Sequence, residues 1–173
     1  LLGAPKRVSA TAGLVAHDGI EVEDIAAGWI EFANGCRATL ASSTACWSAT
    51  GFPAEIRIHG TTGAAVLRDD KLTAFEFEKP LPSDAAVIAP ATEGGGAGAN
   101  DPKAIGHAWH RSNLEEAIAA IRAGKQPAVN GAEGRKAVEL ILALYQSAEN
   151  GGTPLNLPLK QDPVLKKLGV KKA

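Results

Sequence analysis

Apolar and polar residues alternate with a period of two over the first half of the chain and recur every three or four over the last third. Strands are therefore expected first and helices after them. Residues 24–33, DIAAGWIEFA, set Ile25, Ala27 and Trp29 on one side and Gly28, Ile30 and Phe32 on the other, and both sets are largely apolar. Such a pattern suits a strand covered on both faces. Asn34-Gly35 follows, a pair that tolerates positive φ, and CRATLASS then resumes the alternation, so a β-hairpin is expected here. In residues 54–78, Ile56 and Ile58 alternate with Glu55, Arg57 and His59. The chain turns at 60–63, AAVLR runs back, and Asp69-Asp70 turns it again. This predicts a three-stranded meander with one wet face, with Phe75 and Phe77 inward and Glu76 and Glu78 outward. Pro80 and Pro82 end it, because proline cannot donate to a ladder.

Residues 80–105 show no period and centre on Gly94-Gly95-Gly96-Ala97-Gly98. A segment of that length in a compact domain either lacks fixed structure or covers a functional site. Beyond it, Leu114, Ala117, Ile118 and Ile121 mark a helix that stops at Gly124. Asn130, with Glu133 three residues on, starts a second helix whose apolar face reads Ala137, Val138, Ile141, Leu142, Leu144, Tyr145 and Ala148, closed by Gly151-Gly152. Strands followed by helices predict an α+β fold: an open, mostly antiparallel sheet with helices packed on one face.

Composition narrows the function classes. The 173 residues suit one domain of ordinary size. Eighteen Lys and Arg stand against 19 Asp and Glu, a formal charge of −1, which disfavours nucleic acid and anionic membrane as partners. The local exception is a basic tail at 160–173, with Lys160, Lys166, Lys167, Lys171 and Lys172, expected to be solvated. No apolar run reaches the ~20 residues of a bilayer span and no secretory leader opens the chain, so a soluble protein is expected. Cys36 and Cys46 fit neither a disulfide framework nor a CxxC spacing, which makes a reducing, cytoplasmic setting the default. The chain opens on Leu1 and contains no methionine, so it is expected to be part of a longer polypeptide.

Few residues carry candidate chemistry. Gly94, Gly96 and Ala99 spell a loose G-x-G-x-x-A, but Pro90 lies upstream and Asn100-Asp101-Pro102 downstream, so neither the strand nor the helix that a dinucleotide needs is in place. No cofactor is expected there. His107 and His110 flank Trp109 at the start of the first helix, one helical turn apart. Two imidazoles and a carboxylate can hold a metal, but no third ligand stands at a suitable spacing, and no metal is expected. Capping and packing are the plainer roles for these residues, and Trp47, in STACWSATGFP, reads most simply as a plug on a sheet edge. His17 and His59 read as surface or edge residues, and no Ser/His/Asp or Cys/His set can be assembled.

Two runs, GFPAEIRIHGTTGAAVL (51–67) and HAWHRSNLEEAIAAIRAGKQPAVNGAEGRKAVELILALYQSAENG (107–151), resemble the C-terminal domain of the glucose-fructose oxidoreductase / inositol dehydrogenase / MocA family, and VEDIAAGWIEFANGCRATLASS resembles its first hairpin. The resemblance implies that residues 1–159 are the second, substrate-binding and oligomerisation domain of a two-domain NAD(P)-dependent oxidoreductase acting on sugars, cyclitols or related hydroxy compounds. NAD or NADP would be held by a Rossmann domain absent from this chain, and the catalytic residues would lie upstream of Leu1. The fragment alone is expected to be inactive and to bind no cofactor. The family's lysine stands in an E-K-P strand end of the Rossmann domain, whereas Glu78-Lys79-Pro80 falls in the wrong domain for that role. By the same resemblance His110, His107 and Trp109 face the substrate cleft, and Trp47 lies on a loop that approaches the pocket. The open sheet face would serve as the homo-oligomer surface, with Trp29, Ile30 and Phe32 as its apolar residues. The rival reading is a stand-alone, non-catalytic assembly or ligand-binding module with the same fold.

Overall fold

Six strands precede the helices in the computed structural model, as the switch of period predicts: β1 Pro5–Gly13, β2 Ile25–Phe32, β3 Arg37–Ser43, β4 Glu55–His59, β5 Gly63–Arg68 and β6 Lys71–Phe77. A four-residue helix α1 (Asp84–Val87), the longer helices α2 (Ala108–Arg122) and α3 (Gly131–Glu149), and a two-residue strand β7 (Leu155–Asn156) follow. The structure describes residues 2–49, 51–69, 71–87, 106–161 and 163. The glycine-rich run at 94–98 and most of the basic tail lie outside them. The chain divides into two units, Leu1–Cys46 with Val129–Ala173, and Trp47–Ala128.

In the first unit the strands lie in the order β3-β2-β1-β7, all antiparallel. Val8 pairs with Ile30 and Ile30 with Ala38, so the inward residues of three strands form a row beneath α3. Val8, Ala10, Ile30, Phe32 and Ala143 are buried there. Ile30 and Phe32 therefore belong to the core, and of the three apolar residues expected on the open face only Trp29 lies on it. The period of two had already put Trp29 on the opposite side. What it could not show was which apolar side met the helix.

The β2–β3 connection differs from a two-residue turn in an instructive way. Gly35 N–H donates to Phe32 O at 3.0 Å, Phe32 N–H donates to Cys36 O at 2.9 Å, and within this turn only Gly35 takes a positive φ, +87°. The result is a three-residue loop closed by a glycine bulge, with Asn34 Oδ1 accepting Cys36 N–H at 3.0 Å.

Helix α3 starts as its sequence predicts, with Asn130 Oδ1 accepting the N–H groups of Ala132 (3.0 Å) and Glu133 (3.1 Å). Its packed stripe is Leu140, Ala143, Leu144 and Ser147, while Val138 and Ile141 stay more than half exposed. Small residues at 143 and 147 let the helix lie close on β1. A stripe chosen by apolar character misses Ser147 for that reason. Even-numbered β1 residues turn their peptide groups toward β7, which reaches only Arg7 and Val8. Past β7 the orphaned Ala10 N–H donates instead to Ser147 Oγ at 3.1 Å, and Ser147 donates to Thr153 O at 2.8 Å.

The second unit holds the expected meander, β4-β5-β6, antiparallel throughout. Gly60 N–H donates to Gly63 O at 2.8 Å in the first turn, and Asp69 adopts φ +47° in the second. Phe75 and Phe77 share a face and meet edge to face, with ring centroids 4.8 Å apart. Among the described residues β3 and β4 do not pair, so the strands fall into two sheets within the α+β class. The apolar stripe of α2 is exposed, Leu114 and Ile121 by 64% and 68%.

Candidate functional site

The first turn of α2 brings together three of the four candidate residues. His107 is the N-cap, in αR conformation (φ −89°, ψ −5°), and its side chain makes no cap hydrogen bond. Its carbonyl accepts the N–H of Arg111 at 2.9 Å, and Arg111 in turn pairs with Glu115 at 2.7 Å along the helix. Trp109 is 57% exposed, and His107 and His110 are exposed beside it. A helical turn that presents two imidazoles and an indole to solvent can donate to or accept from hydroxyl groups and can stack on an apolar ring face. Trp47 lies in the loop before β4, 86% exposed. No cluster of three or more metal-ligating side chains occurs among the described residues.

Glu78-Lys79-Pro80 follows the last residue of β6. The N–H of Glu78 donates to Thr62 O at 2.9 Å, and all three side chains are exposed.

Two polar constellations were not legible in the sequence. Asp24, its side chain fully buried, closes the loop between β1 and β2. Its Oδ1 accepts Val15 N–H at 2.8 Å, while Oδ2 accepts Ala16 N–H (2.8 Å) and His17 N–H (2.9 Å) and lies 3.1 Å from His17 Nδ1. Burial pushes the Asp24 pKa up, but the three backbone donors and the His17 ring outweigh it and hold the carboxyl well below the usual range. A carboxylate so fully committed is a loop staple and cannot serve as a base. The other is Tyr145, whose hydroxyl donates to Glu23 Oε1 at 2.9 Å; burial, then the Glu23 contact, raises its pKa. The only hint in the sequence is the pair Glu23-Asp24 placed just before an apolar strand.

The chain also lacks the frame a dinucleotide requires, among the described residues. Neither α2 nor α3 follows directly on a strand, and two of the first free N–H groups of α3 are taken by Asn130. The described residues do not fit NAD or NADP. No helix among them is long and apolar enough to cross a membrane. Both cysteines are free thiols, Cys46 exposed and Cys36 partly buried against the core.

Comparison with known proteins adds identity to this geometry. Residues 1–157 match the model of an oxidoreductase family's C-terminal alpha/beta domain, that of the glucose-fructose oxidoreductase / inositol dehydrogenase / MocA group. No curated protein matches the sequence. Among solved structures, the chain is similar to the WlbA dehydrogenase of Bordetella pertussis in complex with NADH and UDP-GlcNAcA: TM-score 0.74, 22% identity, 92% of this chain and 44% of that one. The WlbA dehydrogenase of Chromobacterium violaceum, also with NADH and UDP-GlcNAcA, gives 0.69, 24%, 93% and 42%. An oxidoreductase of Agrobacterium radiobacter in complex with NAD+, L-tartaric acid and magnesium gives 0.62, 22%, 90% and 44%. The chain thus spans less than half the length of each.

Proposed function

Because the chain belongs to the glucose-fructose oxidoreductase / inositol dehydrogenase / MocA family through that family's C-terminal alpha/beta domain, we propose that it is the substrate-binding and oligomerisation domain of an NAD(P)-dependent oxidoreductase acting on a sugar, cyclitol or related hydroxy compound. The family match over residues 1–157 is the observation that carries this reading. Residues 1–159 form the domain and 160–173 a basic tail. NAD or NADP is bound outside this chain, in keeping with the poor fit of its own helices to a dinucleotide, and the residues that exchange protons with the substrate lie upstream of Leu1.

Within this domain the part assigned to substrate contact is the first turn of α2. His107 and His110 offer ring nitrogens to sugar hydroxyls, and Trp109 offers a face for C–H stacking. Trp47 is the second candidate contact. Two of the similar structures hold UDP-GlcNAcA, so sugar nucleotides are the first substrates to try. The open face of the β3-β2-β1-β7 sheet is the surface for homo-oligomers.

The test is direct. The natural gene product is expected to carry about 120 to 150 further residues on the N-terminal side, the size of a dinucleotide-binding unit, and to oxidise or reduce a sugar-like substrate with a nicotinamide cofactor. A natural product that begins near Leu1 and is inert with both cofactors would favour the stand-alone binding module instead. Titration of this chain alone with NADH or NADPH is expected to give no saturable fluorescence change. A micromolar dissociation constant would overturn the assignment of the cofactor to another domain.

A further inference from the structure

The pair Asn-Gly occurs three times in the chain, at 34–35, 130–131 and 150–151. Such a pair is open to self-modification, because glycine has no Cβ to shield its nitrogen from the carboxamide that precedes it. The glycine nitrogen bonds to the asparagine Cγ, its proton passes to solvent, and the Cγ–Nδ2 bond breaks to release ammonia. Water then opens the resulting five-membered imide at either carbonyl, which leaves aspartate or its backbone-extended isomer. Nothing is oxidised or reduced, and water is the only co-reactant.

The three pairs stand in different settings. At 34–35 the nucleophile is engaged, since Gly35 N–H donates to Phe32 O at 3.0 Å inside the β2–β3 turn. At 150–151 both reacting groups are tied: Gly151 N–H donates to Ala148 O at 3.1 Å, and Asn150 Nδ2, the leaving group, donates to Gln146 O at 2.9 Å. Gly131, in contrast, is the first residue of α3, and a helix supplies no acceptor for its first N–H. The Asn130 Oδ1 meanwhile accepts the N–H groups of Ala132 (3.0 Å) and Glu133 (3.1 Å). Those donors hold the oxygen on which negative charge develops as Cγ becomes tetrahedral, the arrangement of an oxyanion hole.

Backbone geometry separates the pairs further. Ring closure requires the glycine nitrogen to swing about the asparagine Cα–C bond until it eclipses Cβ, which for an L-residue occurs near a ψ of about −120°. Asn130, extended at ψ 177°, is about 60° from that orientation, whereas Asn150, at ψ 30°, is about 150° from it. Gly131 is exposed, and a Cβ built on it would meet no neighbouring atom, so the peptide is not hemmed in on that side.

We propose that Asn130-Gly131 is a self-modification site, at which the first turn of α3 promotes loss of the Asn130 amide in the folded protein while the hydrogen bonds around the other two pairs restrain it. Aspartate at 130 keeps an acceptor for the Ala132 and Glu133 N–H groups and adds a negative charge at a helix N-terminus, where it is favoured. The isomer instead places an extra methylene in the backbone and withdraws the cap. With time one uncharged N-cap thus gives way to two forms, one with its helix start tightened and one with it loosened.

The experiment keeps the protein in mildly alkaline buffer, with and without unfolding urea, and follows amide loss at each pair by peptide mapping with mass spectrometry. In the folded protein Asn130 is expected to lose its amide about tenfold or more faster than Asn34 and Asn150. In urea the three rates are expected to converge to within about threefold. Gly131→Ala, checked by circular dichroism for native folding, is expected to slow the loss at 130 about tenfold and to leave the rates at 34 and 150 unchanged. Equal rates in the folded protein, or a faster loss at 34 or 150, overturn the proposal. A preference for 130 that persists in urea also overturns it, because the cause would then be the local sequence and not the fold. An unchanged rate at 130 in Gly131→Ala would rule out attack by the Gly131 nitrogen.

Discussion

The Ser147 hydroxyl accepts the Ala10 N–H at 3.1 Å and passes its own proton to Thr153 O at 2.8 Å, so a helix side chain takes the place of a missing strand. Ser147 is fully buried. Ser147→Ala is expected to lower unfolding stability by about 1–3 kcal/mol, the effect of leaving a buried N–H and carbonyl without partners. A lower urea midpoint with an unchanged slope would bear this out; an unchanged midpoint would contradict it.

Asp24 makes stability depend on pH in a defined direction. Its folded-state pKa is depressed, so its contribution is present above the value of an unfolded aspartate, about 3.9, and is lost as pH falls through that value toward the folded one. Melting temperature is expected to hold steady through the neutral range and to drop below about pH 4. In Asp24→Asn the acid-side drop should flatten and the neutral melting point should fall by several degrees, measured by calorimetry across that range.

Gly35 takes φ +87° in the β2–β3 loop, and an alanine Cβ there would meet no neighbouring atom. The penalty for Gly35→Ala is therefore one of backbone conformation alone, about 1 kcal/mol. A loss well beyond that in chemical denaturation would show that the loop is held by more than its glycine.

Lys79→Ala in the full-length protein is expected to leave the turnover number within about twofold, since the side chain is exposed past the end of β6. A loss of a hundredfold or more, the scale of a general acid–base group, would return the E-K-P letters to the active site.

His110→Ala and Trp109→Ala should act on binding. Each is expected to raise KM about tenfold, the loss of one well-made polar or stacking contact, with kcat changed little. A fall in kcat at constant KM would place the first turn of α2 in the chemistry itself.

Local signals proved the most legible in the sequence. Asn130 marked a helix start that the structure shows, its Oδ1 accepting the N–H groups of Ala132 and Glu133 while the Glu133 carboxylate pairs with Lys136, and Asn34-Gly35 marked a hairpin, although the loop has one residue more than that pair alone implies. What the sequence concealed depends on contacts distant along the chain. Ile30 and Trp29 are both apolar neighbours on one strand, and only the docking of α3 decides which is core. Ser147 looks like a polar interruption until the short reach of β7 exposes an N–H for it to satisfy. Asp24 looks like one more surface acid until the β1–β2 loop folds three N–H groups onto it. Among the candidate site residues, the spacing of His107 and His110 places them one turn apart once a helix begins there, whereas the placement of Trp47 in a loop says nothing of what it meets.

The brevity of β7 has a consequence for how the first sheet meets other chains. Where β1 runs past it, the bare strand edge that would invite another strand is occupied by the Ser147 hydroxyl and by the Gly152 segment, whose carbonyl accepts from Ser9 Oγ at 2.7 Å. Strand-by-strand growth, the route to runaway aggregation, is thereby blocked on that side. At the opposite end of this sheet the outer edge of β3 is unpaired among the described residues, and Arg37, Thr39, Ala41 and Ser43 alternate along it with Ala38, Leu40 and Ser42.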